Sequence, residues 1–532
     1  MNKPLLGSLV VATLLLGDAS AATMYERFEA MEKEMQRLQN ELANLKAEQA
    51  EAEPASRGGD EEADDESDDE EGEEKEGYSE DEADDEEFNA QEEIEDLQET
   101  VTEINKATAG NHLKLGVDFR TAYDMVNYEM ADGSRHENNN ILTNRLWLNM
   151  DWAANENISF TGQLAYNKTY GQRFGVNPMS IGTGGAFETF DWTGNENPNA
   201  DGNVRVKSAY WFYRNSTFLG TDIPWTMSIG RRPSTNGHLI NLRDNDPAAS
   251  PSGHTINVEF DGLSSKFGLE KLTGVSGMYV KFCAGQGASD AQAMFSSTPY
   301  ADTPDDSTKN IHLGGLIFVP YDNGQFSVGT QFYGATNLID LDSPTAPTGF
   351  ETVGNLYSGS IYMMTNGIGD EWSDFLDDTT FFVSGAMSRT APDDGSTMLG
   401  SPDMENGYSY WAGLNMPSLI SEEGRFGLEF NHGSKYWRSI TYAEDTLIGS
   451  KVATRGDSYE VYFTEPLLDD VLSLQIRYTY IDYDYTGSNG FFGSVSGTPY
   501  LIDDVKAGTV PYPANQAVDK AQDLRVYLRY RY

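Results

Sequence analysis

The chain has 532 residues, of which 38% are hydrophobic, and it carries a formal net charge of −49 at pH 7. After the first residues, no segment approaches the roughly 20 consecutive apolar residues that a membrane helix needs, which excludes a helical membrane protein. Nucleic acid is excluded as a partner because so acidic a chain would repel a polyanion. The one cysteine cannot form a disulfide within the chain, so stability must come from burial and backbone hydrogen bonds.

The first 21 residues have the order of a secretory signal peptide. Lys3 precedes an apolar run from Leu5 to Leu16, and small residues follow up to Ala21. We therefore expect residues 1–21 to direct export and to be cleaved from the mature protein.

Residues 22–48 are predicted to form a coiled coil. Apolar residues recur at alternating spacings of four and three, as Met24, Phe28, Met31, Met35, Leu38, Leu42 and Leu45. Because so short a helix is marginal in water by itself, the pattern predicts a partner for it. A homotrimer through residues 24–45 fits, as do another periplasmic surface and an amphipathic helix that folds back on its own protein.

An acidic tract follows the predicted coiled coil. Residues 51–100 contain 27 acidic and 2 basic side chains, about half of the net charge. Like charge and a shortage of apolar residues prevent collapse, which predicts a disordered linker at 49–86. A second short heptad, within 87–109, predicts a short helix.

From residue 110 to residue 532 the apolar period is two. In the first such segment Leu113, Leu115 and Val117 alternate with Lys114 and Gly116. Sixteen segments of about ten residues, the length that crosses a bilayer at a tilt, can be counted, and short and long connections alternate between them. This predicts an all-β transmembrane antiparallel β-barrel of about sixteen strands, preceded by a short periplasmic coiled coil and a disordered acidic linker. We expect it in the cell outer membrane, surrounded by lipid, with the N-terminal arm in the periplasm.

The last segment alternates apolar residues with arginines and ends in an aromatic residue, Tyr532. This pattern resembles the C-terminal signature by which outer-membrane proteins are presented to their assembly machinery. That machinery is therefore an expected partner.

A barrel in lipid must turn its apolar face outward, which makes the charged positions on the other face candidates for lining a pore. The pore-lining candidates are Lys114, Asp118, Arg120, Arg145, Asp151, Arg477, Arg525, Arg529 and Arg531. They suggest a weak preference for anions, although the arginines could equally pair across the wall with Asp118, Asp151, Glu429 and Glu460.

The loop from Pro233 to Gly253 is a candidate constriction loop, with Arg231, Arg232, Arg243 and Asp244 as its charged candidates. No catalytic residues, metal ligands or cofactor are expected. The six histidines lack metal-ligand spacing, and isolated histidines in loops are expected to be solvated. No Gly-x-Ser-x-Gly motif is present.

Several motifs resemble segments of a known family: Gly230 to Gly237, Gly433 to Trp437, Leu447 to Lys451 with Thr454 to Gly456, and Tyr480 to Gly487. The family is an uncharacterised group of Gram-negative outer-membrane porin-like β-barrels, catalogued as a domain of unknown function. The resemblance covers residues 112 to 532 and implies an outer-membrane, porin-like protein with no established substrate.

The sequence therefore predicts a porin-like channel for passive diffusion of small hydrophilic solutes or ions. Two alternatives remain open. The barrel could be the sheath of a porin-cytochrome electron conduit, or the protein could tether the cell envelope through its coiled coil.

Overall fold

The computed structural model describes residues 113–171, 204–232, 237–247, 249, 252–289, 297–298, 300, 309–341, 350–369, 372–441, 446–468, 471–488 and 497–532. The predicted signal peptide, coiled coil, acidic linker and short helix lie outside the described residues.

Sixteen of the eighteen described strands form one closed sheet, and every neighbouring pair in it is antiparallel. In chain order, the first half of the wall comprises β1 (Leu113–Met130), β2 (Arg135–Ala153), β3 (Ile158–Thr169), β4 (Arg205–Asn215), β5 (Trp225–Arg232), β7 (Phe260–Gly268), β8 (Tyr279–Ala288) and β9 (Ile311–Asp322). The second half comprises β10 (Phe326–Leu341), β11 (Phe350–Asn366), β12 (Thr380–Pro392), β13 (Asn406–Pro417), β14 (Arg425–Gly433), β16 (Gly456–Leu468), β17 (Leu472–Tyr483) and β18 (Val518–Arg531).

Two short strands lie outside the wall. They are β6 (Ile256–Asn257) and β15 (Ile440–Thr441), which pair with each other in parallel. Four helices of one turn complete the described elements: α1 (Asn241–Asp244), α2 (Glu270–Thr273), α3 (Asp374–Asp377) and α4 (Ile502–Lys506). No described helix is long and apolar enough to cross a membrane.

The barrel closes between its first and last strands. β1 pairs with β18 from Asp118 opposite Arg531 to Met130 opposite Val518. The terminal residue continues this ladder, because Tyr532 and Val117 exchange backbone hydrogen bonds of 2.7 and 2.9 Å. Closure leaves no strand edge, so each backbone donor and acceptor of the wall has a partner position next to it.

The connections divide the barrel into two ends. At the turn end, where β1 begins and β18 ends, connections are as short as 154–157, 323–325 and 469–471, whereas the loop end carries 170–204 and 484–517. One predicted loop differs. Residues 125–139 belong mostly to β1 and β2, which extend as a hairpin to a turn at 131–134.

The outward face of the wall is apolar. Leu115 is 68% exposed, Trp152 54% and Phe332 56%. The residues that alternate with them along β1 and β2 face inward, and they become more buried with distance from the turn end. These faces agree with the alternation read from the sequence, in which the leucines of β1 lie opposite its charged residues.

The inward face is apolar in several places, which the two-residue period does not predict. Inward residues of β9, β10 and β11 form a buried cluster with residues of β6 and β15. Its members include Ile256, Leu313, Ala335, Leu356 and Ile440. The interior of this barrel is therefore partly a packed core.

The connection between β14 and β16 lies against the wall at Gly407 of β13. A Cβ added there would overlap the Tyr436 carbonyl oxygen and the Trp437 backbone. We predict that Gly407→Ala lowers the free energy of unfolding by about 1–3 kcal/mol, because overpacking forces the connection off the wall. Urea unfolding followed by tryptophan fluorescence measures this.

Gly385→Ala is the matched control, because no atom lies within 4 Å of a Cβ built at Gly385 on the neighbouring strand β12. Equal unfolding midpoints for the two variants would contradict this packing.

Candidate functional site in the barrel interior

The connection between β5 and β7 enters the barrel and crosses it. We call its described residues (237–247, 249 and 252–259) the first inserted loop. The Leu242 carbonyl accepts a hydrogen bond from Asn415 of β13 (3.3 Å), and the Arg243 carbonyl accepts one from Gln475 of β17 (2.9 Å). On the other side, the Ser252 N–H donates to Oε1 of Gln331 on β10 (2.7 Å). The loop therefore contacts widely separated parts of the wall.

A second connection, between β14 and β16, also folds inward. Its described residues (434–441 and 446–455) are called the second inserted loop. It joins the first through the β6–β15 pair and through a hydrogen bond from the Ile440 N–H to the Thr255 carbonyl (2.9 Å). Trp437 donates from Nε1 to the Val452 carbonyl (2.8 Å), which ties the loop to itself. The two loops form one inserted body.

Buried charges fasten this inserted body to the wall. Nζ of Lys451 lies 2.7 Å from Oε2 of Glu429 and 2.5 Å from Oε1 of Glu460. Nη1 of Arg243, from the first loop, lies 3.3 Å from the same oxygen of Glu460. All four side chains are almost fully buried. Two carboxylates of the wall are thus neutralised by one cation from each loop.

His254 of the first inserted loop is fully buried, contrary to the expectation that isolated loop histidines are solvated. Its Nδ1 and Nε2 lie 2.8 and 2.9 Å from the hydroxyls of Ser384 and Ser409. Burial lowers the pKa of His254 to about 3, so its ring is neutral at pH 7. The histidine acts as a polar bridge between the loop and the wall.

The structure places several pore-lining candidates inside the barrel in ion pairs. Arg525 pairs with Asp124. Arg529 donates from Nε to Oδ2 of Asp118 at 3.0 Å and from Nη2 to Asp246 at 3.1 Å. Arg145 is 3.4 Å from Asp118. The positive charge of each of these arginines is therefore accompanied by the negative charge of a nearby carboxylate.

The remaining pore-lining candidates vary in position. Arg477 lies 4.0 Å from Glu460, and Arg531 lies 2.9 Å from Asp246. Arg120 is buried, with its guanidinium 5.2 Å from the centre of the Tyr527 ring. Lys114 and Asp151, which face each other across β1 and β2, are exposed at the turn end.

The constriction-loop candidates fall into two groups. Arg243 and Asp244 belong to α1 inside the barrel and are 3.2 Å apart. Arg231 and Arg232 end β5, at the base of the first inserted loop. Arg231 donates to the Val206 carbonyl (2.8 Å), and the Arg232 guanidinium lies 4.6 Å from the centre of the Tyr210 ring.

Two cavities remain beside the first inserted loop. One, the arginine cavity, has a volume of about 440 Å³ and is lined by Asp118, Trp147, Gln163, Asp246, Arg529 and Arg531, among others. The other, the lysine cavity, has a volume of about 380 Å³, and its lining includes His238, Lys266, Tyr279, Lys281, Asp322 and Ser327. Within the described ranges, no group of three or more His, Cys, Asp or Glu side chains could hold a metal ion.

Sequence reasoning missed the second inserted loop and its anchor Lys451. It named Glu429 and Glu460 as possible partners of the wall arginines, not as anchors of a loop. A signal was present, since two of the family-like motifs, Gly433 to Trp437 and Leu447 to Lys451, fall in this connection.

The anchoring cluster gives a stability prediction. Lys451→Met would remove the ammonium group that contacts the buried carboxylates of both Glu429 and Glu460. We therefore expect it to lower the free energy of unfolding by about 3–5 kcal/mol. Urea unfolding followed by tryptophan fluorescence measures the loss.

Lys271→Met is the matched control, because Lys271 pairs with Asp222 where both side chains are more than half exposed. Such a pair contributes about 0–1 kcal/mol. A loss from Lys451→Met no larger than that of the control would argue against anchoring.

Comparisons with solved structures return bacterial proteins that include an outer-membrane protein of Vibrio cholerae, OmpT, and a porin. An anion-selective porin from Comamonas acidovorans is 12% identical, with a TM-score of 0.41 over 79% of this chain and 99% of that one. OprB of Pseudomonas putida is 10% identical, with a TM-score of 0.44 over 82% and 97%. OmpF of Salmonella typhi is 10% identical, with a TM-score of 0.41 over 80% and 99%. Values this low assign no function.

No curated protein matches the chain. Residues 135–532, most of the chain, match the family described as Protein of unknown function (DUF3373). The chain belongs to this family.

Proposed function

We propose that the protein is a porin-like channel of the outer membrane for passive diffusion of small hydrophilic solutes or ions, and not an enzyme. The observation that carries the proposal is the pair of cavities, the arginine and lysine cavities, which charged side chains help to line inside a closed barrel whose outward face is apolar. Solutes would pass beside the inserted loops, which narrow the lumen.

The apolar outward face of the wall supports the proposal that lipid surrounds the barrel. Large apolar side chains such as Leu115, Phe332 and Ile361 are exposed on the wall strands. Contact of these side chains with water would be unfavourable, whereas contact with the hydrocarbon of a bilayer is not. A closed antiparallel sheet is also the β-structure that can cross a bilayer with its backbone groups paired.

The inserted loops favour a channel over an electron-conduit sheath. A sheath needs room for a second protein, but Lys451, His254 and Arg243 fasten the inserted body across the interior. A partner could enter only if these buried contacts broke. Water and small solutes need far less space.

We further propose that residues 22–109 form a periplasmic arm. In this proposal residues 1–21 are the signal peptide, 22–48 the coiled coil that assembles a homotrimer, 49–86 a disordered acidic linker and 87–109 a short helix. The heptad from Met24 to Leu45 supports the assembly. An envelope tether would use the same arm, and a trimer does not exclude it.

The channel proposal predicts stepwise conductance when the purified protein is added to planar lipid bilayers in potassium chloride. A substitution that fills the arginine cavity should reduce the unitary conductance. We choose Gln163→Trp, because Gln163 lines that cavity from β3 and the indole adds volume there.

Leu164→Trp is the control, since the next residue on the same strand faces the other side of the wall. We expect its conductance to equal that of the unaltered protein. Complete absence of conductance over a range of voltages would overturn the channel proposal. An equal reduction of the unitary conductance by both variants would mean that solutes do not pass through the arginine cavity.

The arm proposal predicts a change of oligomeric state. Deleting residues 24–45 should convert trimers into monomers, as measured by light scattering of the detergent-solubilised protein. Deleting residues 56–77, a segment of equal length in the acidic linker, should leave trimers intact. Trimers that persist without residues 24–45 would mean that the barrels associate by another surface.

A further inference from the structure

Six polar side chains of β2, β3 and β4 line the arginine cavity in two rows that cross these strands. The first row is Asn149, Gln163 and Ser208, and the second is Asp151, Thr161 and Tyr210. Neighbouring strands lie about 4.8 Å apart, and residues on one face recur about every 7 Å along a strand. The two rows therefore form a polar patch that is about 10 Å wide and about 7 Å long.

The polar patch offers hydrogen-bond donors and acceptors side by side. Nε2 of Gln163 donates to Oδ1 of Asn149 (2.7 Å), and the Thr161 hydroxyl donates to Oδ1 of Asp151 (2.8 Å). A carboxamide has two N–H donors and an oxygen acceptor, and a carboxylate can accept several bonds, so the patch keeps capacity beyond these two bonds. Because a hydroxyl group both donates and accepts, a solute with several hydroxyls matches this mixture.

The buried cations that line the same cavity are paired with carboxylates. Arg529 donates to Asp118 (3.0 Å) and to Asp246 (3.1 Å), and Lys207 pairs with Glu259. An ionic solute would have to compete for one partner of such a pair, and the loss of one partner of a buried ion pair is costly. A neutral solute leaves the pairs intact, so the charges of the cavity favour a neutral solute.

Trp147 of β2 brings a buried N–H donor to this cavity. Trp147 lines the cavity and is 6% exposed. Its ring contacts cations, since the Arg145 guanidinium lies 3.6 Å and the Lys207 ammonium 5.2 Å from the ring centre. Nε1 of Trp147 has no acceptor among the described residues. A buried indole N–H ordinarily has a hydrogen-bond partner, so this donor indicates an acceptor oxygen that the wall itself does not supply.

We propose that the arginine cavity binds a neutral polyhydroxyl solute, such as a monosaccharide or a polyol. Hydroxyls of the solute would bond to the amides of Asn149 and Gln163, and one of its oxygens would accept from Trp147. The cavity volume of about 440 Å³ suits a small molecule of this class. The site would give the channel its solute class. This role in transport rests on the proposed function, whereas binding itself does not.

Calorimetric titration of the full-length, detergent-solubilised protein tests the proposal. D-glucose and the zwitterion glycine are titrated separately in the same buffer. We expect saturable binding of glucose and none of glycine. Glycine is the smaller molecule and can enter wherever glucose can, so a difference between the two reports chemistry and not access.

Two substitutions remove hydrogen-bonding groups from the site and keep much of the side-chain volume. Gln163→Leu removes the amide, and Trp147→Phe removes the indole N–H but keeps an aromatic ring. Each should weaken the affinity for glucose by about three- to tenfold, as expected for the loss of one or two neutral hydrogen bonds. Gln522→Leu is the matched control and should leave the affinity unchanged, because Gln522 bonds to the Tyr478 hydroxyl (3.0 Å) outside the cavity.

Absence of saturable glucose binding would overturn the proposal. Glycine binding as tight as that of glucose would also overturn it, because the cavity would then select charge and not hydroxyl groups. An affinity that Trp147→Phe leaves unchanged would place the bound sugar elsewhere, even if Gln163→Leu failed to fold. Bilayer conductance without glucose binding would leave the channel proposal standing and this one refuted. Glucose binding that the two substitutions weaken, without any conductance, would give the reverse result.

Discussion

A closed sheet of sixteen strands solves one physical problem and creates another. Closure gives each backbone group of the wall a partner, but the enclosed space is too wide for inward side chains alone to fill. This chain fills much of it with its own inserted loops. An inserted loop brings backbone polar groups into a buried space, where they need partners. The carbonyls of Leu242, Arg243 and Thr255 find them in the wall or in the other loop.

The interior consequently contains two kinds of contact. Toward β9 to β11, apolar residues such as Leu313 and Leu356 pack against Ile256 and Ile440 of the inserted loops, as in a soluble core. Ile448 of the second inserted loop likewise belongs to an apolar cluster with residues of β1, β17 and β18. Toward β14 and β16, Lys451 pairs with Glu429 and Glu460 of the wall. The inserted body is thus anchored both by apolar packing and by ion pairs.

The two-residue period of apolar residues predicted the strands of the wall, because lipid on the outside and polar groups on the inside require apolar and polar side chains to alternate along each spanning strand. It predicted the hairpin of β1 and β2 less well. Residues 135–140 are exposed, so no alternation is imposed on them and their polarity suggested a loop, although pairing continues there. The candidates Arg243 and Asp244 lie in the first inserted loop, and their role in a constriction stays a prediction. Lys451 and His254 were not identified, since their partners are distant in sequence and no local period encodes such contacts.

Charge in the interior acts mainly on the structure. Arg525, Arg529 and Arg145 each have a carboxylate beside them, so their fields largely cancel at a distance. The net charge of −49 says little about the interior, because about half of it belongs to residues 51–100. The arginines of an acidic protein can therefore be balanced locally, by the carboxylates of its own wall.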